Sequence, residues 1–468
     1  MEGLEIAIVP SSQLERDLRF DAQFFYKRYL AEDQALHRLP LKKIGEIAFV
    51  TDGPHGYHVV DETSAIAMLT ASCASNWFAD RSGADTIAKW VDDANRRSSL
   101  EVEDLILSTR GTVGNCAIVT EEVLPANLDQ DVARIAIDTR EGLEPSFVLA
   151  YLNGKFGQDY ITRHASGMVQ QGLPLDKVRK IPVPALGEAI QKGVVRAVER
   201  AYEMRRTSSE AAARAEDILV VALGLADWAP PEPLAYSAKA SDAFVAGRLD
   251  AQYFMPAKKR VMQALATLPG KPMVERFTSV REQWVPDRAP ATMRVRNYDV
   301  TDALLPLLDA EKKPSFAADI GSMKKLLRDG DVAVSRLRSY LKEIAVVRTG
   351  DKIPSVGSSE FIVLRPNGAD ISPETLMVFL RSMPVQTILK WCQDGSQHPR
   401  FSESDLLSIP IPDAVAGVSI EVTSIVQTSF AARDKARRLL DATKRAVEIA
   451  VEDSEAAALA YLNGVGNS

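Results

Sequence analysis

The chain has 468 residues, 46% hydrophobic and 25% charged, a globular composition with room for two to four domains at roughly 100–200 residues each. It carries 56 Lys and Arg against 63 Asp and Glu, and the net charge of −7 disfavours nucleic acid as a partner if taken as a single number. Cys73, Cys116 and Cys392 are too few and too scattered for a disulfide framework or a cysteine-based zinc site, and they fit a reduced cytoplasm.

In chain order, the first residues lack the basic stretch of a signal peptide, and no window reaches the ~20 apolar residues of a membrane span. Arg19-Phe20-Asp21-Ala22-Gln23-Phe24-Phe25 then opens a unit that recurs as Arg248-Leu249-Asp250-Ala251-Gln252-Tyr253-Phe254. The repeated Arg and Asp read as a structural ion pair or cap. The runs Leu105–Ser108, Cys116–Val119 and Val132–Ile137 read as strands separated by Gly and Asp turns. Their partners are Val332–Ser335, Ile344–Val347 and Glu360–Leu364. A helix starts near Pro145, with proline in its first turn, and its counterpart starts near Pro373. Both units close on the same pattern, Ile181-Pro182-Val183-Pro184 and Ile409-Pro410-Ile411-Pro412. Matches in one order at an almost constant offset make the chain a tandem duplication.

After each Ile-Pro-x-Pro run the period changes to alternating threes and fours. Ile190, Val194, Ala197, Ala201, Met204, Ser208, Ala211, Ala215, Ile218 and Ala222 form one seam. Val418, Val422, Ile425, Ser429, Ala432, Ala436, Leu439, Thr443, Ala446 and Ala450 form the other. Two matched seams predict two long helices paired as an antiparallel coiled coil. Ala229-Pro230-Pro231-Glu232-Pro233 breaks the first helix. The expected fold class is α+β, with mixed α/β domains over 1–185 and 235–413. A first spacer helix with its Pro-rich linker covers 186–234, and a second spacer helix covers 414–468, giving a pseudo-twofold internal repeat.

Catalytic patterns are missing. The chain has no Gly-x-x-x-x-Gly-Lys-Ser/Thr loop, Gly-x-Gly-x-x-Gly, His-Glu-x-x-His, Gly-x-Ser-x-Gly or Asn/Asp-Pro-Pro-Tyr/Phe. His55 and His58 lie in a Gly/Pro loop with no third ligand nearby, so no metal site is expected. The reading is a non-enzyme with no cofactor of its own.

The duplicated plan resembles the specificity subunit of type I restriction–modification systems. Leu41-Lys42-Lys43-Ile44-Gly45-Glu46-Ile47 leading to Thr51-Asp52-Gly53-Pro54-His55-Gly56 looks like the opening of a target-recognition domain in that family. Asp104-Leu105-Ile106-Leu107-Ser108 with Arg110-Gly111-Thr112-Val113-Gly114 looks like its central strand and turn. Ser335-Arg336-Leu337-Arg338-Ser339-Tyr340-Leu341 and Ser358–Pro366 resemble a second version of the unit. That version lacks Thr-Asp-Gly-Pro-His-Gly and the Gly-x-x-Gly turn. The resemblance implies a non-catalytic reader of double-stranded DNA, each target-recognition domain taking half of a bipartite site. The helices would set the gap between halves. Implied partners are two methyltransferase subunits and a restriction subunit, with S-adenosylmethionine bound in the methyltransferase and no membrane contact.

Base readout needs paired donors and acceptors on exposed loops. The stretch from Arg163 through His164, Ser166, Met168, Gln170 and Gln171 meets that need and resembles the family's DNA-facing loop, with Ser396, Gln397, His398 and Arg400 as its counterpart. Arg110 and Thr112, in a glycine turn, are phosphate candidates. So are Arg336, Arg338 and Lys342, with Lys324, Lys325 and Arg328 upstream, and Lys177, Arg179 and Lys180. Competing readings are a protein-interaction scaffold, a specificity component of another DNA-modifying anti-phage complex, and a nuclease with an unrecognised carboxylate cluster. The charge of −7 hides local clusters: Lys155, Arg163, Lys177, Arg179 and Lys180 stand against only Asp159 and Asp176 over 155–180. With screening over ~8 Å, local sign matters more than the total, so weak DNA binding by the isolated chain is expected.

Overall fold

The structure, a computed structural model, describes residues 7–9, 21–56, 58–75, 77–167 and 171–466. The chain divides into two compact units, Met1–Arg205 with Asp434–Ser468, and Arg206–Arg433. Each is a mixed α/β body carrying half of each long helix.

In the first unit the runs of apolar residues become a five-stranded sheet. Its order is Ala48–Asp52, Val132–Ile137, Leu105–Ser108, Cys116–Ile118 and Trp77–Phe78, antiparallel except at the last pair. The central strand reads Leu-Ile-Leu-Ser because both of its faces are covered. Leu105 and Leu107 pack with Phe147, Leu149 and Leu152 of helix Pro145–Asn153, while Ile106 faces Leu69, Ala126 and Leu128 of a second, three-stranded sheet. A strand buried on both sides loses the polar alternation of an exposed one. Helix Pro145–Asn153 is apolar on all sides for the same reason, each fully buried Leu or Phe contributing roughly 1.5–3 kcal/mol.

The second unit repeats the plan. Phe277–Ser279, Phe361–Pro366, Val332–Ser335 and Ile344–Val346 form a four-stranded antiparallel sheet. Val332 and Val334 face helix Pro373–Arg381, and Ala333 faces the opposite core with Tyr298 and Val363. A five-stranded sheet takes the place of the three-stranded one. In each unit the Ile-Pro-x-Pro run is a short strand, Pro182–Pro184 paired with Leu41–Lys43 and Pro410–Pro412 paired with Gly270–Pro272.

The period change marks two long helices, Glu188–Ala222 of 35 residues and Ser419–Glu452 of 34. The second is preceded by a short separate helix, Asp413–Gly417, which the spacing alone did not reveal. In the first unit Ile190, Val194 and Ala201 pack with Ala436, Leu439 and Ala450. In the second, Ala215 and Leu219 pack with Val422 and Val426, and the buried Ser208 and Ser429 hydroxyls share a 3.0 Å hydrogen bond. Early residues of one helix meet late residues of the other, so the pairing is antiparallel. The expected seam drifts at one end: Leu219 and Val426 are buried where Ile218 and Ile425 are only partly so. A closing helix, Glu455–Gly466, lies against the first unit, its Glu455 accepting from the Gly187 N–H at 2.9 Å.

Arg248 and Asp250 form the expected ion pair at 2.7 Å, while their earlier counterpart Arg19 lies outside the described residues. All three cysteines are buried free thiols. Among the described residues no helix is long and apolar enough to cross a membrane, and no group of His, Cys, Asp and Glu is placed to hold a metal.

Candidate nucleic-acid interface

Both units end their mixed region with one construction. Helix Lys155–His164 delivers the chain to a hairpin closed by reciprocal backbone hydrogen bonds between Ser166 and Gly172, at 2.9 and 2.8 Å. Gly172 also bridges to Arg110, and the Leu173 N–H donates to the Thr109 carbonyl at 2.8 Å. The hairpin is thereby seated on the turn that follows the central strand. In the second unit helix Met383–Cys392 leads to a hairpin closed between Asp394 and Arg400, at 2.8 Å both ways. Leu337 bridges to Arg400, and the Phe401 N–H donates to the Arg336 carbonyl at 3.1 Å. Gly167 and Gly395 hold φ of +124° and +94°, a region where a side chain is strained, which is why glycine recurs at this point.

Segments far apart in sequence meet here. In the first unit they form an open cleft of about 340 Å³ lined by Asp52, Thr109, Arg110, Gln130, Ser166, Gln171 and Gly172 through Leu175. Arg110 Nη1 lies 3.3 Å from Asp131 Oδ1, and the Asp131 carbonyl accepts from the Thr109 hydroxyl at 2.9 Å. Asp52 reaches His55 Nε2 at 3.3 Å and Arg97 Nη2 at 3.5 Å. Gly53 beside it leaves no room for a side chain, since a Cβ would stand 1.9 Å from the Leu128 carbonyl oxygen. Burial raises the pKa of the neighbouring Asp129 carboxyl, opposed by the Asp131 N–H that it accepts at 2.9 Å.

The second unit builds the same place from cations. Glu360 accepts from Arg336 Nε at 2.7 Å and from Arg400 Nη2 at 2.9 Å, and the Arg400 bond foremost holds its carboxyl pKa below the ordinary range. Arg338 Nη2 lies 2.9 Å from His398 Nδ1. A guanidinium can only donate, so Nδ1 accepts and the hydrogen of the neutral ring is assigned to Nε2. Arg338 and Lys342 both hold left-handed backbone, with φ of +43° and +50°. That conformation costs an ordinary residue about 1–2 kcal/mol. The half-buried Arg381 guanidinium pins the turn, donating to the Lys342 and Ile344 carbonyls at 2.8 and 2.9 Å. Burial among these carbonyls, with Arg433 near, pushes its pKa down to about 10.

The remaining candidates divide by where their side chains go. Ser166, Gln171, Thr112, Ser396 and Gln397 are exposed at the hairpins and turn, while Met168 and Gln170 lie outside the described residues. Arg163 is committed to the protein: Nε donates to the Phe24 carbonyl and Nη1 to Asp33, both at 2.7 Å, with the guanidinium 4.1 Å from the Phe24 ring centre. His164 is buried, stacked on Tyr160 at 3.9 Å. Helix Leu175–Arg179 carries Lys177 and Arg179, and Arg179 reaches the Val50 carbonyl at 2.8 Å; Lys180 pairs with Asp176 at 3.6 Å. Upstream, Lys324 lies 3.7 Å from Asp299 and Arg328 pairs with Glu282 at 2.8 Å.

The chain is similar to proteins of type I restriction–modification systems. The S subunit of such a system from M. genitalium aligns over 88% of this chain and 95% of its own, at 12% identity and a TM-score of 0.42. The HsdS subunit from Thermoanaerobacter tengcongensis aligns over 91% and 96%, at 16% identity and a TM-score of 0.27. A chain from a structure on complex assembly and conformational transition of the type I R-M system aligns over 91% and 98%, at 16% identity and a TM-score of 0.29. No family model and no curated protein sequence matches the chain.

Sequence reasoning missed the carboxylates. Asp131 and Glu360 tether the two turns, and Asp52 gathers His55, Arg97 and one wall of the cleft. The signal was present in the duplication, since Asp131 and Glu360 share the offset that relates the strands they precede.

Proposed function

We propose that this protein reads DNA sequence without catalysing a reaction, as the specificity subunit of a type I restriction–modification complex. One observation carries the reading: a hairpin of exposed polar side chains is seated at the same place in both halves of a duplicated unit, on a turn tethered by an acidic residue. Two equivalent platforms with different side chains suit a bipartite, asymmetric site. Residues 1–185 and 235–413 serve as target-recognition domains, and 186–234 and 414–468 as spacer helices. Ser166 and Gln171 read one half-site, and Ser396, Gln397 and His398 the other. Gln offers the donor and acceptor pair that adenine presents in the major groove.

Two methyltransferase subunits dock on this chain, and restriction subunits join the assembly. Transfer of a methyl group from S-adenosylmethionine to adenine N6 occurs in the methyltransferase, which takes the base out of the stack. The chain itself needs no cofactor.

The test is co-expression with an adenine methyltransferase subunit, purification of the complex and methylation-sensitive sequencing of the host DNA. The reading expects co-purification and one bipartite modified motif. A chain that captures no methyltransferase and leaves no motif overturns it.

A further inference from the structure

The two platforms differ at two backbone positions. Where the first unit has Gly111 and Gly114, at φ of +71° and +98°, the second has Arg338 and Lys342, also with positive φ. The equivalence is fixed by hydrogen bonds. Ser108 Oγ donates to the Arg110 carbonyl as Ser335 Oγ does to that of Leu337, and the Ser108 N–H meets the Asn115 carbonyl as that of Ser335 meets Glu343. The second turn is one residue longer, so Arg338 follows the first anchor and Lys342 precedes the second. Glycine adopts this backbone freely, whereas Arg and Lys are strained in it.

The charged ends of the two strained residues make few bonds within the protein. Among the described residues the Lys342 ammonium has no partner, and Arg338 reaches only His398 on the exposed hairpin. Within the same turn Ser339 is 4% exposed and its hydroxyl has no hydrogen-bond partner. The surroundings enforce the conformation: Arg381 holds the Lys342 carbonyl, and the Arg338 N–H donates to the Pro399 carbonyl at 2.9 Å. Strain that neighbours over-determine, at half-buried residues whose cations make few bonds within the protein, is a mark of a binding site. Around it Arg336 and Arg400 stand against Glu360 and the hairpin's Asp394, which leaves Arg338 and Lys342 in excess, while the first platform sets Arg110 and Arg97 against Asp131 and Asp52.

We propose that the Arg338–Lys342 turn is a phosphate-backbone anchor for duplex DNA, which makes the second unit the electrostatic foothold of the chain while both hairpins read bases. The inference rests on the DNA-reading function above. Phosphate contacts release counterions, so affinity falls with salt with a slope set by the number of contacts.

The experiment measures binding of the full chain to a mixed-sequence 40-base-pair duplex by fluorescence anisotropy, from 25 to 200 mM salt. Thermal unfolding of each variant is recorded alongside. Arg338→Gly with Lys342→Gly, and separately the Asn pair, remove the cations while supplying residues suited to positive φ. The expected result is a melting temperature equal to or above that of the parent, weaker binding, and a salt slope smaller by about two. Arg110→Ala changes the slope by less than half as much. An unchanged slope in the double variants, or a slope that falls only together with the melting temperature, overturns the anchor while leaving DNA reading intact. A methyltransferase complex carrying the parent chain that binds no duplex even at 25 mM salt overturns DNA reading and the anchor with it.

Discussion

Asp131 and Glu360 stand at one point of the duplicated unit, each directly before the strand that borders the central one, and each ties down the turn on which the hairpin sits. Asp131 does so mainly through its carbonyl, which accepts from both the N–H and the hydroxyl of Thr109, while its carboxylate faces Arg110 at 3.3 Å. Glu360 uses its carboxylate, gripping Arg336 and Arg400 together. One scaffold position thus supports two chemistries.

Glu360→Gln separates tethering from charge. Removing the carboxylate frees two guanidiniums and adds net positive charge, so affinity for mixed-sequence duplex rises. Discrimination between target and non-target duplex falls, by ~1–3 kcal/mol if one bidentate base contact loses its geometry. Competition binding of the methyltransferase complex checks both; a parallel loss on all sequences contradicts it.

Asp104 accepts a 2.7 Å hydrogen bond from Arg134 Nε, with both residues nearly buried. The second unit repeats the pair as Asp331 with Arg365. Arg134→Met strands a buried carboxylate, and the expected loss is on the order of 3–5 kcal/mol. Arg134→Met with Asp104→Leu recovers much of it. Urea unfolding of the two variants gives the comparison, and equal losses contradict it.

Gly53→Ala places a methyl group against the Leu128 backbone, which cannot move without displacing the strand Ala126–Leu128. A loss on the order of 3–5 kcal/mol is expected, seen as a lower melting temperature or insoluble protein. Gly56→Ala has open space around its Cβ position, so only its φ of +105° opposes the change and the loss is smaller.

Glu32 is a pH-dependent element of the first unit. Burial foremost, with Asp159 beside it, raises its carboxyl to about 7, while Lys155 Nζ at 3.4 Å opposes this. A carboxyl with a raised pKa in the folded state stabilises most below its unfolded value near 4.5, and that stability is lost as pH rises through about 7. Melting temperatures between pH 5 and 8 then fall less steeply in Glu32→Gln than in the parent. Identical slopes contradict the assignment.

Much of the architecture was legible because burial writes itself into the sequence. Leu105–Ser108 and Val332–Ser335 read as strands because a chain covered on both faces is apolar throughout, and the two long helices announced themselves by spacing. The site was legible only in outline. Ser166, Gln171 and Gln397 stand exposed on the hairpins, but Arg163, adjacent in sequence, turns inward onto Phe24 and Asp33. Those partners lie more than a hundred residues away, and no local pattern reports them. The strained turn was hidden for a related reason: a missing Gly-x-x-Gly shows what the second unit lacks, while positive φ at Arg338 and Lys342 belongs to the folded backbone alone.

The most direct test of the central claim compares methylation motifs left in host DNA by the assembled methyltransferase complex carrying Gln171→Ala or Gln397→Ala. Each change is expected to relax or alter one half of a bipartite motif, by ~1–3 kcal/mol per lost base contact, and the two changes affect opposite halves. Loss of modification on both halves together, or a motif unchanged by either substitution, contradicts two independent reading platforms.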